Sequence, residues 1–118
     1  MQDRPQITTA IPKHRYEIGG YAATLLGEIV AGDARTYRYI LAFVRQGQRE
    51  PVFYVCAEPA APPDRADGAY QLRVVSEALT EVVDRDDRWG DLETFANQAL
   101  KLGAQALGLQ RDPIVKRM

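Results

Sequence analysis

Two apolar segments decide the fold: residues 37–44, YRYILAFV, and residues 52–57, VFYVCA. Side chains along a β-strand alternate between the two faces of a sheet, and both segments are apolar at both sets of alternating positions. The segments therefore predict strands that are buried on both faces. In the first segment the predicted sets are Tyr37, Tyr39, Leu41 and Phe43 on one face, and Arg38, Ile40, Ala42 and Val44 on the other.

Further strands are predicted on either side of this pair. In residues 16–30, YEIGGYAATLLGEIV, three glycines disfavour a helix, so we favour a strand, with a helix as the rival assignment. Residues 70–84, YQLRVVSEALTEVVD, predict one bent strand or two short ones, with a helix over 76–83 as the alternative. The short loops between these segments favour antiparallel neighbours.

One clear helix is predicted, over residues 92–107. Asp91 is a good N-cap residue, and Gly108 lies where a left-handed C-terminal cap belongs. Apolar and small residues recur at helical spacing along the segment, which is typical of a helix with one buried face. These residues are Leu92, Phe95, Ala96, Ala99, Leu102, Gly103 and Ala106.

Together the elements predict an α+β fold, an antiparallel β-sheet of four to five strands followed by one C-terminal α-helix packed on one face. The length of 118 residues is typical of one domain. We expect a flexible N-terminal arm over residues 1–13, a single domain over 14–110 and a polar C-terminal tail over 111–118. Residues 59–69, PAAPPDRADGA, predict an exposed loop.

The predicted helix is too narrow to cover the predicted sheet. Four or five strands make a sheet roughly 20 Å wide, whereas a helix is about 10 Å across. Ile40, Ala42 and Val44 would then face water, and a second copy of the chain is the simplest cover. We therefore predict a homodimer built through a face or an edge of the sheet, with these three residues as the candidate interface. A strongly curled sheet, or a second helix over residues 20–31, is the alternative cover.

Composition excludes several classes of protein. A net charge of −1 provides no general attraction to nucleic acid, and no apolar run approaches the ~18 residues of a membrane-spanning helix. The N-terminus has no apolar core of a secretory signal, so we expect a cytoplasmic protein without a membrane partner. The excess of arginine over lysine, twelve to three, with abundant alanine, is typical of a GC-rich bacterial genome.

No motif for catalysis, metal binding or phosphate binding is present. Cys56 is the single cysteine and lies in the middle of a predicted strand, which predicts a small buried residue. His14 is the single histidine and lies where the predicted arm joins the domain, beside Lys13 and Arg15. We therefore expect no catalytic residue, cofactor or metal, and we identify no small-molecule substrate.

Three functions remain open. The first is a homodimeric binding or assembly module without catalytic activity. The alternative is a single-stranded nucleic-acid-binding protein, in which a Tyr/Arg sheet face stacks on bases and the basic arm contacts phosphates. Four strands followed by a helix are similar in topology to dimeric single-strand-binding coactivator domains, although no motif matches. The third is an enzyme whose site is shared across a dimer. The residues of the nucleic-acid alternative are Lys13, Arg15, Arg35, Tyr37 and Tyr39.

Overall fold

The computed structural model describes residues 3–61 and 68–118, and in this part the chain forms one antiparallel sheet and one α-helix. The sheet has seven strands in the order β6-β5-β4-β3-β2-β1-β7, so the predicted α+β class is confirmed and the predicted four to five strands are too few. Every paired neighbour is antiparallel. The elements are β1 (Ile7–Ile18), β2 (Tyr21–Ala31), β3 (Tyr39–Arg45), β4 (Phe53–Pro59), β5 (Tyr70–Ser76), β6 (Thr80–Arg85), a 3₁₀ turn (Asp87–Gly90), α1 (Leu92–Leu107) and β7 (Ile114–Lys116).

The helix packs on one face of the sheet, which we call the helix face. Phe95 of α1 stacks on Tyr39 of β3 with ring centroids 5.6 Å apart. A β-carbon at Gly103 would overlap the ring of Phe43, so the small residue allows α1 to approach the sheet closely. The carboxylate of Asp91 accepts a hydrogen bond from the Thr94 N–H, and Gly108 ends the helix at φ 71°. The predicted helix and both of its caps are confirmed.

The additional strands come from the two ends of the chain. Gly19 and Gly20 adopt φ values of 51° and 82°, which form the tight turn between β1 and β2. The strand favoured for residues 16–30 is therefore a hairpin, and β1 begins at Ile7, inside the predicted arm. Residues 114–116 of the predicted polar tail pair with residues 16–18 of β1. The segment 70–84 forms two strands, in which the Ser76 N–H donates to the Leu79 carbonyl across the connecting turn.

The opposite side of the sheet, the second face, is covered by the outer half of the β1–β2 hairpin. Pairing between these strands shifts register three times, and Glu28 adopts φ 48°, so the hairpin bends over the sheet. Ile7, Ile29 and Ala31 pack there against a buried cluster. That cluster is Tyr37, Ile40, Ala42, Tyr54, Cys56 and Val75.

Residues 3–6, which we call the strap, complete this cover. At one end the Asp3 carboxylate accepts a hydrogen bond of 3.1 Å from Thr80 at the start of β6. Arg4 pairs with Glu50 at 3.3 Å. At the other end the Gln6 carbonyl accepts a 2.7 Å hydrogen bond from the Gly32 N–H. These contacts trace a diagonal path across the second face, from β6 to the end of β2.

The structure therefore removes the reason for which a second copy of the chain was predicted to cover this face. Ile40 has no exposed surface within a single chain, Ala42 is buried and Val44 is half-buried. One helix cannot cover both faces, as the widths predict, but the bent hairpin and the strap supply the missing cover from the same chain. The alternative cover by a second helix over residues 20–31 is wrong, because Tyr21–Ala31 forms β2.

Tyr37 and Tyr39 also depart from the prediction, because they lie on opposite faces. Tyr37 belongs to the cluster of the second face and Tyr39 to the core beneath the helix. Tyr37 does not follow the alternation of the strand, because β3 begins only at Tyr39.

Candidate functional site

A buried ion pair lies at one end of the second face. Glu58 of β4 is 3% exposed and Arg73 of β5 is 2% exposed. The Arg73 Nε donates to Glu58 Oε2 at 2.7 Å. Antiparallel pairing of β4 with β5 places the two side chains on the same face. Burying two charges costs hydration free energy, which only a close and well-aligned pairing can offset. The occurrence of such a pair beside an apolar cluster therefore marks this place as a candidate site.

The second oxygen of Glu58 connects the pair to the surface. Glu58 Oε1 accepts hydrogen bonds from Arg35 Nη1 at 3.1 Å and from Gln71 Nε2 at 3.0 Å. Both carboxylate oxygens are therefore occupied, and the guanidinium of Arg35 is held in place at the surface. Burial opposes the charge of Arg73, but the hydrogen bond and the charge of Glu58 outweigh it and raise the pKa of Arg73.

The network continues to the strap through Tyr37 and Asp33. The Tyr37 hydroxyl accepts a 3.4 Å hydrogen bond from Arg73 Nη2 and donates to Asp33 Oδ2 at 2.8 Å. Asp33 also accepts the backbone N–H groups of Gln6 and Arg35, both at 3.2 Å. Burial and the hydrogen bond to Asp33 raise the pKa of Tyr37, so this hydroxyl keeps its proton.

A cleft of about 360 Å³ lies directly over Glu58. This volume falls at the small end of the range of ligand pockets. The cleft combines one cation, Arg35, with a hydroxyl, an amide and several small apolar side chains. Its lining residues are Ala34, Arg35, Thr36, Glu58, Pro59, Ala60, Ala61 and Gln71.

The single thiol and the single imidazole lie elsewhere. Cys56 is fully buried, and burial raises the pKa of its thiol, so the nucleophilic thiolate is disfavoured. His14 donates from Nδ1 to the Met118 carbonyl at 3.1 Å, and its Nε2 lies 3.4 Å from Glu93. Cys56 is thus part of the buried core, whereas His14 contacts the C-terminal segment at Met118.

The residues predicted for nucleic-acid binding do not form one surface. Tyr37 and Tyr39 are buried on opposite faces, so neither ring offers an open platform for a base. Lys13 pairs with Glu28 at 2.6 Å, whereas Arg15 is exposed on β1. Of the five residues, Arg35 and Tyr37 belong to the polar network, whereas Lys13, Arg15 and Tyr39 lie outside it.

The two edges of the sheet differ in their chemistry. At the β6 edge, Val83 is an extra residue that produces a bulge, and Glu81 and Asp84 are exposed acids. Bulges and charges protect edge strands from pairing with another chain. Among the described residues, β7 at the opposite edge pairs with β1 without a register shift and has exposed apolar side chains. These are Ile114 and Val115, with Met118 just beyond the strand.

An apolar groove of about 180 Å³ lies beside β7, between this strand and the last turns of α1. Its apolar walls include Ile18, Leu100, Leu109 and Ile114. Arg117 holds the segment against β1, because its Nη2 pairs with Glu17 at 3.0 Å and its backbone N–H donates to the Arg15 carbonyl. The β7 edge therefore has two exposed apolar side chains beside one lysine, is ordered by its own contacts and is adjacent to a groove.

Neither the Glu58–Arg73 network nor the β7 edge was found from the sequence. A signal existed for the first, since Arg73 interrupts the apolar run Leu72–Val75 and Glu58 directly follows VFYVCA. Pairing these two charges required the β4–β5 register, which the sequence alone did not establish.

In comparisons with known proteins, no family model, no curated protein and no solved structure matches the chain. Within residues 3–61 and 68–118, histidine, cysteine and acidic side chains nowhere gather in threes to hold a metal ion. In the same residues, no helix has both the length and the apolar character needed to cross a membrane.

Proposed function

We propose that the protein is a homodimeric binding or assembly module without catalytic activity of its own, and that two copies join through their β7 edges. The observation that carries the proposal is the exposed apolar set on β7 beside an apolar groove, at an edge that no bulge protects. Apolar patches of this kind mark interaction surfaces.

Antiparallel pairing of β7 with β7 of a second copy gives a symmetric contact. Centred on Val115, it sets Ile114 opposite the partner's Lys116 and brings the partner's Met118 towards Asp112, which precedes the strand. Asp112 lines the groove, so the Met118 side chain of the partner subunit has an apolar recess to enter. Such a contact is isologous and closes at two copies.

The β6 edge is less suited to the same role. Antiparallel self-pairing about Val82 and Val83 sets Glu81 opposite the partner's Asp84, twice in each dimer. Like charges directly opposite one another destabilise a pair of strands. The bulge at Val83 adds a second obstacle.

Three further features support the rest of the proposal. The lack of catalytic activity is supported by the buried thiol of Cys56 and by the ring of His14, whose Nδ1 is engaged by the Met118 carbonyl. A single cysteine fits a reducing, cytoplasmic location. The arginine and alanine content fits a bacterial source.

Sedimentation equilibrium tests the dimer. A contact this short belongs to the small class of interfaces, so we expect association in the range of about 10 μM to about 1 mM. Val115→Asp should remain monomeric over this range, while Val83→Asp, an exposed valine at the other edge, should associate like the unmodified chain. A chain that remains monomeric throughout, or dimers lost in Val83→Asp and kept in Val115→Asp, would contradict the proposal.

A further inference from the structure

The network beneath the cleft exposes its positive charge more than its negative charge, because the side chain of Arg35 is 47% exposed and that of Glu58 only 4%. Two guanidinium groups, of Arg35 and Arg73, converge on the single carboxylate of Glu58. The Nη1 of Arg73 is buried and has no hydrogen-bond partner among the described residues. Asp33 supplies a second negative charge, which balances the second guanidinium, but its carboxylate bonds to Tyr37 and the strap and does not line the cleft.

The charged group left open to the cleft is a hydrogen-bond donor, the guanidinium of Arg35. Both oxygens of Glu58 are already occupied. Arg35 uses Nη1 for Glu58, and its side chain is 47% exposed, so the rest of the guanidinium faces outward. Thr36 adds a hydroxyl to the lining. An anion is therefore the complementary ligand.

The apolar walls of the cleft and its volume of about 360 Å³ favour a small anion with an apolar part. Ala34, Pro59, Ala60 and Ala61 provide small apolar surfaces around Arg35. A planar carboxylate matches the fork of a guanidinium with two parallel hydrogen bonds. A short apolar body attached to it would contact the alanine and proline walls.

We propose that this cleft binds a small monocarboxylate, with Arg35 as the anion-binding residue and Glu58, backed by Arg73, as the residue that positions it. The site lies at the end of the sheet where β2 and β4 finish, whereas β7 pairs beside the Gly19–Gly20 turn. Ligand binding and dimerisation therefore concern separate surfaces, and either can fail without the other.

Titration of the full chain with sodium butyrate, followed in ¹H–¹⁵N spectra, tests the site. We expect saturable shifts at residues 34–36, 58–61 and 71. Butyramide has the same shape without the charge and should give no shifts there. Equal shifts with butyramide, no saturable shift with butyrate, tighter binding of inorganic phosphate than of butyrate, or shifts confined to Arg45 and Gln48, which line a separate cavity of about 450 Å³, would each overturn the proposal.

Variants of surface arginines provide the matched comparison. Arg35→Gln should weaken butyrate binding about tenfold or more, because it removes a charge-assisted hydrogen bond while Arg73 and Gln71 still satisfy Glu58. Arg35→Lys keeps the charge but not the fork and should bind with intermediate affinity. Arg49→Gln, in an exposed loop, should bind like the unmodified chain. Unchanged binding by Arg35→Gln, in a protein with an otherwise unmodified spectrum, would contradict the assignment.

Discussion

Replacing Glu58 by glutamine should destabilise the fold far more than the same replacement at the surface. Glu58→Gln keeps the shape of the side chain but removes the charge that compensates Arg73, which is 2% exposed. Removing one partner of a buried ion pair costs about 3–5 kcal/mol, because the other charge stays buried without compensation. Domains of this size unfold with about 5–15 kcal/mol, so the loss is a large fraction of the total.

Glu50→Gln is the matched control. Glu50 pairs with Arg4 at 3.3 Å, but its side chain is largely exposed, and exposed pairs contribute about 0–1 kcal/mol. Urea unfolding at neutral pH, followed by circular dichroism, compares the two variants directly. Adding Arg73→Met to Glu58→Gln should restore part of the lost stability, since the second change removes the uncompensated cation.

Two results would refute this reasoning. One is a loss of less than about 1 kcal/mol in Glu58→Gln, comparable with the surface pair. The other is a double variant that is less stable than Glu58→Gln alone, which would mean that Arg73 contributes through packing and not through its pairing with Glu58.

The remaining predictions concern the helix contact, the strap and acid stability. Gly103→Ala should cost about 1–3 kcal/mol in urea unfolding, because overlap with Phe43 outweighs the higher helix propensity of alanine, whereas Gln105→Ala on the exposed side should stay within about 0.5 kcal/mol. A chain that starts at residue 7 lacks the strap and should lose about 2 kcal/mol or more and bind a hydrophobic dye; unchanged stability would show that the strap does not cover the second face. Burial raises the pKa of Asp33, but hydrogen bonds from Tyr37 and two backbone N–H groups outweigh it and hold the pKa below 3.8. Its contribution to stability is therefore present above about pH 4 and lost as the pH falls through the lowered value, so unfolding midpoints of Asp33→Asn between about pH 2 and 5 should fall less steeply than those of the unmodified chain.

The helix and the inner strands could be predicted from the sequence because their signals are local. The helical stripe, Asp91 and Gly108 all lie within one segment, and each acts on its own neighbours. The apolar alternation of β3 and β4 is equally local, and it indicates burial on both faces whatever covers them.

The cover of the second face could not be predicted, because the strap has no periodic pattern. Asp3 and Thr80 are 77 residues apart in sequence, and only the folded sheet brings them together. The bend in the β1–β2 hairpin depends on register shifts and on the left-handed conformation of Glu28, a residue type that gives little indication of it.

The candidate site could not be predicted either, because its residues are distant from one another in the sequence. Arg35 was identified as a surface cation, but it lies between β2 and β3, and its partner Glu58 lies 23 positions away in β4. Residues 62–67 of the predicted exposed loop, and residues 1–2 of the predicted arm, lie outside the described residues, so those predictions stand as they were made.

Locating the contact between two copies tests the proposed β7–β7 dimer most directly. A nitroxide on Met118→Cys in an unlabelled chain, mixed with ¹⁵N-labelled chain, broadens the amide signals that lie near it in the other copy. Cys56 is buried and should remain unmodified during labelling. Pairing of two β7 edges predicts broadening at residues 112–118 and 16–18. Broadening centred instead on Val44 and Thr24 of the second face, or on β6, would contradict it.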